Sequence, residues 1–107
     1  MVQSKNIEIT KSEIAGLFDA WNSALMTKDP KVVTNLYEEN GTLIPTISNK
    51  IRHNHSEIED YFKTFLTLEP VGKIDQSSIR LFDQMAINSG IYTFSFKDDT
   101  KVTARYT

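Results

Sequence analysis

Two histidines, His53 and His55, stand one residue apart between two stretches of helical periodicity. On an extended segment that spacing turns both imidazoles to one side, as in a metal site. No cysteine occurs in the chain and no third ligand type lies nearby, so metal binding is the weaker reading. An imidazole titrates near neutral pH, which makes His55 a candidate general base at the mouth of a pocket. The plainer alternative is a surface histidine followed by one at the start of a helix. Asp19, the carboxylate close to Trp21, is the second candidate base.

Trp21, Tyr37, Tyr61 and Tyr92 are large rings with a polar handle, the type of side chain that lines small-molecule pockets and equally fills cores. Arg52 and Arg105 are candidates for gripping a carboxylate, and Arg105 lies between Ala104 and Tyr106 in an extended pattern that could turn it inward. Glu57, Glu59 and Asp60 fall in the first turns of a helix, where carboxylates suit the dipole without chemical duty. There is no phosphate loop, GxGxxG, HExxH, GxSxG or EF-hand loop, and no cofactor or metal is expected.

The elements that must position these residues are legible from periodicity. Ile14, Leu17, Phe18, Trp21, Ala24 and Leu25 recur at helical spacing behind a Thr10–Glu13 capping box, predicting a helix over 11–27. Asp29-Pro30 starts a second helix, with Val32, Val33, Leu36 and Tyr37 on one face and Asn40-Gly41 as its stop. Thr42 to Ile47 is a short strand candidate limited by Pro45. Asn54 and Glu57 cap a third helix whose stripe is Ile58, Tyr61, Phe62, Phe65 and Leu66, ended by Pro70 and Gly72. Three extended runs follow: Ile74–Phe82, Met85–Phe96 and Lys101–Thr107. Helices followed by a meander of strands predict an α+β fold, three N-terminal helices packed on one face of a curved antiparallel sheet. The sequence stops within an extended pattern, which leaves a strand edge to be covered.

At 107 residues, 39% apolar and 24% charged, the chain is of single-domain size and of ordinary globular composition. A net charge of -2 with no basic block argues against nucleic-acid binding. No run of 18 apolar residues suggests a membrane span, and a cytoplasmic location is the default, although a signal peptide removed ahead of residue 1 would leave no trace.

The order of "FDAWNSALMTKDPKVVTNLYEENGTLIPTISN", "IEDYFKTFL", "SGIYTFSF" and "VTARYT" resembles the nuclear transport factor 2-like superfamily. Within it, the chain is similar to small SnoaL-like proteins related to the association domain of calcium/calmodulin-dependent protein kinase II. The resemblance implies a nine-residue N-terminal extension (1–9) and one domain over 10–107. It implies a cone-shaped fold with a pocket at the wide end, and self-association into dimers and rings. Tyr92 falls where that association domain carries a cavity arginine, and the catalytic aspartates of the isomerase-like members have no match here. Relatives continue past "ARYT" with a last strand. The expectation is a small self-associating domain with a ligand-accommodating cavity lined by Trp21, Tyr37, His55, Tyr61, Tyr92 and Arg105. It has no kinase attached, and its partners are itself and a small-molecule ligand. The alternative is a SnoaL-like or ketosteroid isomerase-like enzyme with His55 or Asp19 as base, and Tyr37 and Tyr92 polarising a substrate oxygen. A third reading is an adaptor using an apolar sheet face built from Ile87, Ile91, Val102 and Ala104.

Overall fold

The computed structural model describes residues 9–45 and 47–107. All of the expected 1–9 extension except Ile9 lies outside the described residues, as does Thr46 of the expected first strand. Helix α1 spans Lys11–Met26. Its capping box forms as the sequence predicts: the Glu13 amide donates to Thr10 Oγ1 at 3.1 Å, and the Thr10 amide donates to the Glu13 carboxylate at 3.1 Å.

Helix α2 is shorter than its periodicity suggests, Pro30–Thr34 rather than reaching Asn40-Gly41. Asp29 accepts from the Lys31 amide at 3.0 Å, and Pro30 takes the first helical position, where its missing N–H costs nothing. The backbone then tightens. Leu36 and Tyr37 donate to the carbonyls of Val33 and Thr34, three residues back, and the chain leaves the helix axis. Tyr37 thereby reaches α1 and packs on Phe62, so tertiary packing has overridden the local pattern.

The expected strand over 42–47 is reduced to one bridge, in which Leu43 and Arg52 exchange both backbone bonds at 2.8 and 2.9 Å. Pro45 has no N–H to give and is buried, so a ladder cannot continue through it. Helix α3, His55–Phe65, is capped by Asn54 Oδ1, which accepts from the Glu57 amide at 2.9 Å. A 3-10 turn over Leu66–Leu68 follows and ends at Glu69 in the left-handed region, φ 51°.

Strands β1 (Val71–Leu81), β2 (Ala86–Ser95) and β3 (Lys101–Tyr106) form an antiparallel sheet in that order. Pairing of Gly72 with Phe94, Tyr92 with Ala104 and Phe94 with Val102 sets one face toward the helices. The opposite face carries Thr93, Thr103 and Arg105. Of the adaptor quartet, Val102 and Ala104 share the helix side with Tyr92, whereas Ile91, opposite Arg105, and Ile87 stand on the other, so the four build no common face.

A bulge between Ile74 and Gln76 bends β1 and brings its backbone against Gly90, where a Cβ would stand 1.9 Å from the Gln76 carbonyl oxygen. At the other end of β1, Asn22 of α1 pairs with both backbone groups of Gly72, at 2.9 and 3.1 Å, in the manner of a neighbouring strand. A Cβ on Gly72 would meet Phe94 at 2.9 Å and Phe18 at 3.0 Å, so glycine permits this close approach of helix and sheet.

The core lies where α1, α2 and α3 meet the near half of the sheet: Leu25, Val33, Ile58, Phe62, Phe65 and Phe94 are essentially inaccessible. Beyond the bulge, from Ser77 to Asn88, no residue is buried. The molecule measures 54 × 29 × 24 Å. Among the described residues no helix is long and apolar enough to cross a membrane.

Candidate functional site

Three of the predicted aromatic residues, Trp21, Tyr61 and Tyr92, meet at a slit between the helices and the sheet. Phe62, Phe65 and Phe94 complete its floor, and Leu43, Ile44 and Pro45 close its remaining side. The rings pack edge to face: Trp21 meets Phe94 at 5.7 Å, and Tyr92 meets Phe94 at 4.7 Å, both at 62°. The free space is about 20 Å³, room for about one water and far below the several hundred Å³ of a ligand pocket. In this conformation the slit is closed.

Residues 42–45 and 47–53 form the strap beside it, with Leu43, Ile44 and Pro45 against the slit. The Leu43–Arg52 bridge shapes it into a narrow loop. Arg52 donates to Ser48 Oγ at 3.1 Å and to the Lys50 carbonyl, and its guanidinium lies 5.4 Å over the Tyr61 ring. Ile44, although it lines the slit, is 75% exposed.

Two hydrogen bonds that the sequence did not reveal converge on Tyr37. Trp21 Nε1 donates to the Tyr37 phenol at 3.1 Å, and His55 Nε2 donates to the Tyr37 carbonyl at 2.7 Å. A carbonyl only accepts, so Nε2 carries the proton in this bond. His55 thus serves first as a clamp between α3 and the end of α2. Burial pushes the Tyr37 phenol up to about 12, partly opposed by the Trp21 hydrogen bond and assisted by nearby Tyr92. Burial likewise raises Tyr61 to about 12, against a backbone hydrogen bond from Ile47. Both phenols are therefore neutral hydrogen-bonding groups at physiological pH and poor bases. Tyr106, which the sequence reading passed over, stacks on Tyr92 at 5.1 Å and donates to Asn88 at 3.0 Å.

The remaining candidates stand apart. Arg105 is exposed on the outer sheet face, because it alternates with Ala104 and Tyr106, which face the helices; it does not join Tyr92 in the slit. Asp19 is exposed on α1 and lines no part of the slit. His53 is exposed, and its amide donates to the Glu57 carboxylate at 2.8 Å. Glu59, Asp60 and Lys63 share an open charged groove of about 400 Å³ with Lys50 and Arg52 on the outer side of α3. Among the described residues no group of three or more His, Cys, Asp or Glu gathers to hold a metal ion.

The wall residues Leu43, Ile44, Pro45, Phe62 and Phe94 were not among the predicted site residues. Phe94 could have been found by parity, two residues from Tyr92 in "IYTFSF".

Against known families, residues 10–105 match the calcium/calmodulin dependent protein kinase II association domain. The chain belongs to that family. A crystal structure at 1.70 Å of a Xanthomonas campestris protein assigned to the same association domain is similar over 98% of this chain and 81% of that one. The two share 36% identity, with a TM-score of 0.80. Among curated proteins, none matches this sequence. The α+β architecture of the association-domain family member is thus that of a nuclear transport factor 2-like fold, here with an open sheet of three strands.

Proposed function

We propose that this association-domain family member functions by self-association, with the aromatic slit as a site for a small ligand. The observation that carries self-association is the far half of the β1–β2 hairpin. Leu81, Phe82, Met85 and Ile87 are 38–56% exposed there and leave an apolar tip that no helix of the described residues covers. Exposed apolar surface of this kind favours contact with a second copy.

An isomerase or cyclase activity has less support. It needs a base in the slit, yet neither His55 nor Asp19 lines it, and the phenols are held neutral.

Light scattering during size exclusion tests the proposal. The expected result is a discrete dimer or larger ring, shifted toward monomer by the double substitution Phe82→Ser and Met85→Ser while the helical circular dichroism persists. A wild-type chain that stays monomeric at sub-millimolar concentration would remove the self-association reading.

A further inference from the structure

The outer face of the sheet collects cations. Lys73 pairs with Thr93, Arg80 with Ile87, Lys101 with Ser95 and Arg105 with Ile91, and these positions alternate with Tyr92 and Phe94, which face the helices. All four cations are exposed, and among the described residues none of them takes part in an ion pair. The one carboxylate among the outer-face strand residues is Asp75 at the bulge, and it already accepts from the Thr93 hydroxyl at 2.6 Å. A chain with a net charge of -2 thus concentrates an excess of positive charge on one side of its sheet. Like charges held near one another repel, and an anionic partner relieves that repulsion.

Their placement gives the partner a shape. Lys73 and Arg80 stand on β1, Lys101 and Arg105 on β3, and β2 between them presents Ile87 and Ile91. An apolar line is therefore flanked by two cationic rails. With neighbouring strands about 4.8 Å apart, the rails are separated by about 10 Å, close to the 10–12 Å or so of a helix with its side chains. The run from Lys73 to Arg80 covers about 23 Å of strand, the length of about fifteen helical residues. No aromatic ring stands among the outer-face strand residues, so a single-stranded nucleic acid would find nothing to stack on. A second copy presenting this same face would set cation against cation.

We propose that the outer sheet face docks an acidic amphipathic helix of another protein, its apolar stripe along β2 and its carboxylates on both rails. This surface is separate from the aromatic slit, and it shares only Ile87 with the apolar hairpin tip.

The probe is a fluorescein-labelled peptide of about fifteen residues, with leucines at helical spacing and glutamates on both flanks of that stripe. Its counterpart with lysine for every glutamate and a labelled uridine oligonucleotide are the comparisons. Fluorescence anisotropy should show the glutamate peptide binding saturably, more weakly as salt is raised, and the lysine peptide not saturating. The double substitution Arg80→Glu and Arg105→Glu, at exposed positions, should lower the affinity at least about tenfold while the helical circular dichroism persists. Should that variant fail to fold, Lys73→Gln with Lys101→Gln reads the other end of the rails and should lower the affinity several-fold. No saturable binding of the glutamate peptide, or equal binding by wild type and the folded charge variant, would overturn the proposal. The uridine oligonucleotide binding as tightly as the glutamate peptide would overturn the choice of a protein partner. Light scattering of the charge-reversed variant separates the remaining occupant: a change in oligomer mass with peptide affinity unaltered would assign the face to a second copy and overturn the proposal.

Discussion

The near and far halves of the β1–β2 hairpin are built from the same two strands by one ladder, and they end in opposite circumstances. In the near half, Gly72 and Ile74 pair with Phe94 and Tyr92 beneath the helices, and Phe94 is inaccessible to water. In the far half, Arg80 and Leu81 pair with Ile87 and Ala86, and among the described residues nothing buries them. Backbone hydrogen bonds are alike on both sides of the bulge, so they cannot be what distinguishes the halves. Burial supplied by α1, α2 and α3 does, which makes the near half the folding core and leaves the far half exposed.

Replacing one near-half ring should show the largest effect. Phe94 packs on Trp21, Phe65 and Tyr92, and Phe94→Ala removes all three contacts and leaves a cavity. Urea unfolding should register a loss of about 3–5 kcal/mol. A loss under about 1 kcal/mol would mean that the near half is not the folding core.

Alkaline pH attacks the same half through its phenols. Tyr37 and Tyr61 titrate at about 12 in the folded protein and near 10 when unfolded, because burial disfavours the phenolate. The folded state therefore holds its protons longer. Stability from these groups is intact below about pH 10 and is lost as pH rises toward about 12. The slope of unfolding free energy over that window should be downward, and Tyr61→Phe should make it shallower. Tyr61→Phe leaving the slope unchanged would show that its phenol is not held up by burial.

Much of the near half was legible in the sequence because its signals are local. Thr10 with Glu13, Asp29 with Pro30 and Asn54 with Glu57 act across one to three residues, and each cap forms where expected. The α3 stripe of Ile58, Tyr61, Phe62 and Phe65 is equally local and is buried. What escaped depends on distant partners. Tyr37 abandons the α2 periodicity to bond Trp21, sixteen residues earlier. His55 looked like a free imidazole until the Tyr37 carbonyl, eighteen residues away, came within reach. Which way Arg105 points follows from pairing with Ile91, and alternation fixes a two-fold choice without saying which side is the core.

The smallest effect on the fold itself should come from the far half, and it carries the sharpest test of the comparison. Phe82, 49% exposed at the hairpin end, has little to lose within one chain, so Phe82→Ala should cost under about 0.5 kcal/mol in dilute protein. If the tip is where copies meet, association stabilises the folded state by mass action, and the wild-type Tm should rise with protein concentration. The variant should show a flatter dependence while matching wild type at the dilute end. A Tm independent of concentration in both would leave the exposed tip without a partner of its own kind. A large loss already in dilute protein would instead make the far half part of the core, and the contrast between the two halves would fall.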